Sequence, residues 1–476
     1  MAKNETITPK QSTSLYEAQQ KIYSREVKGK FQSLRMLSMC LLLGLYYLVP
    51  WLSWGERQAV LFDLPARKFH IFALTLWPQD FFFLTLLLII AGLSLFFFTA
   101  LAGRIWCGYA CPQTVWTEAF IWMERLTEGS RNKQIQLDKA PWSLLKVRKK
   151  LSKQILWGSF SLWTGLTFVG YFTPIQTLIS GILSWQLSGW ESFWILFYSL
   201  ATYGNAGFLR EQVCQYMCPY ARFQSAMFDS DTLIIAYDQD RGEPRARGAK
   251  RKQGNVVGDC IDCSLCVQVC PTGIDIRDGL QYECIACAAC IDVCDQVMDS
   301  VGRPRNLISY TTESETSKTL STILLRPRIL IYAGLLGIAC IGFVTALLLR
   351  SELQVDILRD RNALYRMISN NTIENIYHIK VMNKSHADQY YQVTVTGLDN
   401  ATAQWVTSPG GKSTPEQSNL VPAGSIGDFT ASIHLPEKSQ QQRNQTVYLR
   451  ITELNGKHPQ SVTEETRFWG PEQLAD

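Results

Sequence analysis

Twelve of the fourteen cysteines in this 476-residue chain fall into spaced sets, and the spacing differs between them. Cys260, Cys263, Cys266 and Cys270 precede Pro271, and Cys284, Cys287, Cys290 and Cys294 repeat the same C-x2-C-x2-C-x3-C pattern. This is the spacing of bacterial two-cluster ferredoxins, where three close thiolates reach three corners of an iron–sulfur cube. The displaced fourth cysteine reaches the other cube. The expected ligand sets for two [4Fe-4S] clusters are therefore Cys260, Cys263, Cys266 with Cys294, and Cys284, Cys287, Cys290 with Cys270. Zinc needs four thiolates in one tetrahedron, which a tripled spacing repeated twice does not suit. Asp295 stands where a proline often follows the last cysteine, which puts the symmetry of the second loop in question.

The second pattern is C-x-Y-x-C-P, at Cys107, Cys111 and Pro112 and again at Cys214, Cys218 and Pro219. Aligned on the cysteines, Trp116 meets Phe223 and Ala119 meets Ala226, so a parallel internal repeat is expected. Helical spacing would put both sulfurs of a motif on one face, with each proline marking a break or a new helix. Four thiols gathered by such symmetry would form a soft site, suited to Cu(I), zinc or an iron–sulfur centre. Packing at a membrane surface is the plainer alternative. Cys40 and Cys340 stand alone in apolar runs and are expected to pack.

Those motifs must be positioned by membrane helices. Residues 34–54, 81–102, 155–173, 192–208 and 329–349 each approach the ~20 apolar residues that cross a hydrocarbon core. Mean hydropathy is only −0.02, with 47% hydrophobic and 18% charged residues, because apolar spans and polar regions cancel. The 192–208 run is short and carries Gly204 and Asn205. No small-residue cleavage site follows the first run, so it is not read as a signal peptide. Lys and Arg crowd the segment before the first run and the stretch Lys146, Arg148, Lys149, Lys150 and Lys153, whereas 177–190 has none. The positive-inside rule then places the N-terminus and the ferredoxin module in the cytoplasm and the C-terminal tail outside. Trp51, Trp54, Trp77, Trp185 and Trp190 flank span ends, as an aromatic belt would. A net charge of +5, with its basic run explained by topology, gives no support for nucleic acid. No histidine lies in a span, which removes a haem held by paired histidines, and no nucleotide motif appears.

Beyond Arg350 the pattern turns to period two: Tyr377, Ile379, Val381; Tyr391, Val393, Val395; Phe429, Ala431, Ile433, Leu435; Val447, Leu449, Ile451. Short strands separated by clusters such as 408–411 suggest an antiparallel sandwich used for protein contact. His378, His386, His434 and His458 are scattered. The expected fold class is thus a multi-domain membrane protein. A leader covers 1–33, and a four-span α-helical domain with both C-x-x-x-C-P motifs covers 34–225. An α+β two-cluster ferredoxin-like module covers 226–326, after a Gly/Arg/Lys-rich linker at 241–254 that opens its cysteine-bearing part. A fifth span follows at 327–350, and an all-β immunoglobulin-like sandwich at 351–476.

Over nearly its whole length the chain resembles the cytochrome c oxidase accessory proteins of the CcoG/FixG/RdxA type. Besides the cysteines, the resemblance rests on the stretches 22–27 (IYSREV), 77–82 (WPQDFF), 258–263 (GDCIDC), 271–277 (PTGIDIR) and 290–292 (CID). Ser24 replaces a proline of that family, in a leader expected to be disordered. The resemblance implies a bacterial inner-membrane protein that serves assembly of the cbb3-type oxidase and carries an immunoglobulin-like periplasmic tail. It further implies reduction of Cu(II) to Cu(I) before copper export, through Cys107, Cys111, Cys214 and Cys218. Implied partners are the lipid bilayer, a copper-exporting ATPase, oxidase assembly factors and an electron donor, with a homo-oligomer left open. Two alternatives stand beside this: an electron-transfer subunit with no copper role, and a non-catalytic assembly scaffold.

Overall fold

A computed structural model describes residues 21–55, 57–247, 257–312, 325–361, 363–368, 371–385, 387–406, 419–439, 442–455 and 459–471. His386, His458, the 408–411 turn and linker residues 248–254 lie outside them. The chain divides into two compact units, one ending at Ile341 and one starting at Gly342.

In the first unit, α1 (Lys30–Leu48) and α2 (Phe81–Ala102) are joined through β1 (Ser53–Trp54), β2 (Arg57–Gln58) and a meander of β3 (Val60–Asp63), β4 (Lys68–Ile71) and β5 (Leu74–Leu76). Then come α3 (Ile105–Tyr109), α4 (Pro112–Glu128), α5 (Arg131–Lys139), α6 (Leu144–Val169), α7 (Ile175–Leu183) and α8 (Gly189–Thr202). π-Helical turns at Tyr203–Leu209 and Val213–Met217 lead into α9 (Pro219–Met227). The ferredoxin module follows: β6 (Ile234–Tyr237), α10 (Gln239–Gly242), α11 (Leu265–Val269), α12 (Ala289–Ser300) and β7 (Ile308–Thr311). Antiparallel pairing of β6 with β7 closes the module over a core that includes Ile235, Ile276, Ile291, Met298 and Leu307.

Three helical stretches among the described residues are long and apolar enough to cross a membrane: Lys30–Trp51, Pro78–Ala102 and Pro327–Leu348, the last containing α13 (Pro327–Leu348). Leu37, Leu41, Leu45, Phe82, Leu88, Ile331 and Ile338 point outward from them, and lipid is the medium in which such exposure is not penalised. The other two apolar runs are also helical, but neither stands as a clean apolar rod. α6 begins a full three turns before its apolar part, and α8 has 14 residues before the π turns take over near Gly204 and Asn205.

One detail departs from the sequence reading. Trp77 is buried, with the Lys68 ammonium over its ring at 4.8 Å, and does not join an exposed belt. Within the basic run, which serves the sequence only as an orientation signal, Lys146 and Lys153 are buried. Lys153 sits 2.9 Å from Glu128, and Lys146 donates to the carbonyls of Asp138 and Ala140 at 3.0 and 2.6 Å.

The described part of the leader is ordered, against expectation. Lys21 pairs with Glu124 and Asp138 at 2.9 and 3.2 Å, and the Tyr23 hydroxyl donates to Asp138 at 2.7 Å. Arg25 N–H donates to the Gln268 carbonyl at 2.8 Å, and Val27 is buried against Val269 and Cys287. Ser24, the departure from the family pattern, accepts a hydrogen bond from Arg125 at 3.3 Å. Asp292 then caps α1 by accepting from the N–H groups of Phe31 and Gln32 at 3.2 and 2.8 Å, using donors that a helix start leaves free. Residues 21–29 thus strap the ferredoxin module to α4 and α5.

The second unit is a β-sandwich. One sheet runs β12 (Thr402–Trp405), β14 (Ser425–Pro436), β10 (Thr372–Asn383), β8 (Leu353–Arg359), with β9 (Arg366–Ile368) beside β10. The other runs β13 (Leu420–Val421), β11 (Gln389–Thr396), β15 (Asn444–Glu453), β16 (Ser461–Trp469). Tyr377, Ile379, Val381, Ile433, Leu449 and Ile451 are fully buried between them, which is what alternation on pleated strands dictates. Each such side chain contributes roughly 1.5–3 kcal/mol of burial.

Candidate functional site

All fourteen cysteines are free thiols in the structure. The ferredoxin loops are built alike. In the first, Asp262 and Ser264 flank Cys263 with left-handed backbone; in the second, Ala286 and Ala288 flank Cys287 the same way. Four non-glycine residues at positive φ in matched positions mark a required curvature, and such alternation turns successive N–H groups inward as an anion-binding nest. Helices α11 and α12 start directly after Ser264 and Ala288, so the third cysteine of each loop sits in a first helical turn. Pro271 ends the first helix early, whereas α12 runs on through Asp295 to Ser300. Asp295 accepts from the Asn306 N–H at 2.9 Å, a use that a proline could not serve. The asymmetry lies beyond the cysteines.

Two cavities follow from these loops. One is lined by Cys260, Cys263, Cys266 and Cys294; the other by Cys270, Cys284, Cys287 and Cys290, together with Cys266. Each gathers three cysteines of one loop and the last of the other. Burial pushes the Cys284 and Cys294 thiols up to about 12 and Cys266 up to about 11, and neighbouring cysteines push Cys284 and Cys294 further. Thiolates become favourable there only around positive charge, which iron supplies. The donor set, the nests and the matched cavities fit two [4Fe-4S] clusters. Among the described residues no three Cys, His, Asp or Glu side chains gather tightly enough for a single metal ion.

The C-x-x-x-C-P cysteines lie within electrostatic reach of one another. Cys107 feels the charges of Cys111, Cys214 and Cys218, and Cys214 those of Cys111 and Cys218. Burial pushes Cys107 up to about 12 and Cys214 up to about 11, the neighbouring thiols add to this, and Arg104 opposes it. The local geometry differs from one continuous helix. Cys107 lies in α3, Cys111 is the extended N-cap of α4, and Pro112 is its first residue. In the second copy Cys214 lies in a π turn, Cys218 is the N-cap of α9, and Pro219 starts it. Each proline begins a helix, where its missing N–H costs nothing.

Residues that carry no sequence signal hold this site. Gln224, fully buried on α9, accepts from the Cys107 thiol at 3.4 Å and donates to Gly103 O and Tyr220 Oη at 3.3 and 2.7 Å. Gly103 has φ 55°, and a Cβ there would come within 2.7 Å of the Leu233 carbonyl, so glycine is required. A cavity beside Cys214 is lined by Gln113, Thr117, Arg210 and Glu211 together with Ile22 and Ile121, and it reaches Pro271 and Ile285 of the ferredoxin module.

Residues 209–313 match the family model of a 4Fe-4S dicluster domain, 83–129 a 4Fe-4S binding domain, and 343–471 the IG-like fold at the C-terminal of FixG. The chain is 40% identical over 426 residues to the nitrogen fixation protein FixG of Rhizobium meliloti, covering 82% of this chain and 81% of that protein. It is 41% identical over 435 residues to protein RdxB of Cereibacter sphaeroides, covering 86% and 91%. Protein RdxA of the same organism is 42% identical over 401 residues, covering 81% and 84%. The cysteine sites and this likeness over most of the chain agree, and the protein belongs to the FixG/RdxA family of iron–sulfur electron-transfer proteins.

Proposed function

We propose that this protein reduces Cu(II) to Cu(I) at Cys107, Cys111, Cys214 and Cys218 in support of cbb3-type cytochrome c oxidase assembly. The observation that supports the reading is that thiols of two repeats lie within electrostatic reach of one another, with Cys107 packed against the ferredoxin module. Cu(II) gains one electron and becomes Cu(I); iron–sulfur clusters, when bound at the eight ferredoxin cysteines, supply single electrons. Soft sulfur ligands favour Cu(I) over Cu(II) and so raise the driving force. In this reading five helices cross a bacterial inner membrane, with the leader and ferredoxin module cytoplasmic and the β-sandwich periplasmic, as the Lys/Arg distribution supports. A copper-exporting ATPase and oxidase assembly factors are the proposed recipients and partners.

The test is anaerobic Cu(II) titration of the dithionite-reduced, full-length protein. Cluster reoxidation should match Cu(I) formation one for one, and replacement of the four cysteines by serine should abolish it with iron content unchanged. Parental rates in the four-Ser protein would sink the proposal. One observation favours a second reading: the segment holding Cys107 and Cys111 itself matches a 4Fe-4S binding domain. The four thiols would then hold a further iron–sulfur centre, and copper would have no role. Iron and acid-labile sulfide beyond two clusters per chain, lost in the four-Ser protein, would establish it.

A further inference from the structure

Cys107 does not merely lie near the ferredoxin module; it packs on one of its two loops. Its side chain joins an apolar group containing Ile285, Cys287, Ala289 and Val269, the last beside Cys270. The next residue makes the approach closer still. A Cβ on Gly108 would come within 2.7 Å of the Ile285 carbonyl and 3.0 Å of Cys287 Cα, so only glycine lets the two backbones meet. Arg104, which caps α3, is buried and spans the junction. One of its terminal nitrogens donates to the Tyr282 carbonyl, just before Cys284, and the other to the Ala221 carbonyl of the second repeat at 2.6 Å. Its charge acts on Cys107, Cys214 and Cys284 alike.

We infer that the site of Cys270, Cys284, Cys287 and Cys290, rather than that of Cys260, Cys263, Cys266 and Cys294, is the one that faces the C-x-x-x-C-P thiols, with Arg104 as the positioning residue that joins them. Cys107 and Gly108 form the contact, and Arg104 fixes its register while placing a positive charge between the two sites. That charge stabilises the more negative, reduced state of a cluster bound at Cys284. What is reduced beyond Cys107 rests on the proposed function; which ferredoxin site adjoins the thiols does not.

Anaerobic EPR potentiometry of the full-length protein without copper tests this. In Arg104→Gln one of the two cluster potentials should fall by about tenfold in its reduction equilibrium, about 59 mV for one electron, and Arg104→Lys should keep the parental value. The fall should persist in a Cys263→Ser background, which assigns it to the Cys284 site. Two unmoved potentials, or a fall confined to the other cluster, would overturn the inference. Should Arg104→Gln lose iron, Gly108→Ala supplies the second reading: its added Cβ presses on the 285–287 backbone and should alter the EPR line shape of that cluster alone. An unchanged line shape there would also overturn it. If Cu(II) fails to reoxidise the parental clusters, the copper proposal falls and this adjacency stands.

Discussion

Cysteine is used in two twofold repeats here, and the repeats differ in how far they enclose what they bind. Each ferredoxin loop contributes three cysteines from one tight, nest-forming turn and exchanges its fourth, so each cavity is lined from both loops. Each C-x-x-x-C-P motif offers only two thiols, one in a short helix or π turn and one at a helix N-cap. Around these thiols lie Arg104, Gln224 and a cavity that borders Cys214, and Cys107 packs against Cys287 of the ferredoxin module. In the proposed reading, one residue type at two spacings separates a resident centre from an exchangeable one.

The comparison is tested most severely at the closed sites. Cys284→Ser should remove one of the two clusters and bring copper reduction down to the background of the four-Ser protein, read as iron content and Cu(I) yield. A protein that kept its rate with only the Cys263 site filled would break the link between the two regions. Cys294→Ser should empty the site of the first loop, although Cys294 belongs to the second. Mössbauer and EPR spectra that instead show loss of the Cys284 cluster would break the exchange that closes these cavities.

A second difference is that the ferredoxin sites are built inside one module, while the thiol site is held between elements that the leader ties together. Glu124 is the centre of that tie. Burial opposes its charge, but Arg210 at 2.7 Å, Lys21 at 2.9 Å and Lys153 outweigh this and hold its pKa down to about 2. The folded-state value lies below the ordinary 4.5, so the stabilisation is complete above 4.5 and is lost as pH falls toward 2. That displacement is worth about 3 kcal/mol. Glu124→Gln should therefore raise hydrogen exchange across 21–29 already at pH 7, and the parental protein should approach it only in acid. Equal protection in both proteins at pH 7 would show that the strap does not depend on this carboxylate.

Much of this was legible in sequence because it is periodic or spaced. The eight ferredoxin cysteines, the doubled C-x-Y-x-C-P, the long apolar runs and the alternation of Val447, Leu449 and Ile451 are all patterns that local geometry imposes. What escaped notice has no period. The leader's order comes from bonds to distant partners, such as Arg25 to Gln268 and Tyr23 to Asp138, and no local propensity marks it. Arg104 belongs to no repeated spacing, yet it is buried and bonded to Tyr282 and Ala221. Its place directly before the first motif, where α2 must turn into α3, was the available clue. The Cys214 motif could not be read as an α-helix because the π turns add residues that i,i+4 reasoning does not count.

Gln224 gives the smallest expected effect and the finest test of what keeps the proposed copper site in place. A neutral amide holds Cys107, accepting from the thiol while donating to Gly103 O and Tyr220 Oη. Each such hydrogen bond contributes about 0.5–1.5 kcal/mol net, and Gln224→Leu removes them without leaving a cavity. The ferredoxin sites make no use of this side chain, so both cluster signals and the iron content should be unchanged. The thiol site should loosen: half-saturating Cu(II) should rise by about tenfold, equivalent to about 1.4 kcal/mol, while the maximal rate changes less. A general packing defect would lower the maximal rate and the iron content together. If both fall in Gln224→Leu, the two regions share one scaffold at this point and the contrast between them is one of spacing alone. If only the copper dependence moves, the open site owes its shape to second-repeat side chains, and its looseness is a property of hydrogen bonds that can be made and broken as the ion comes and goes.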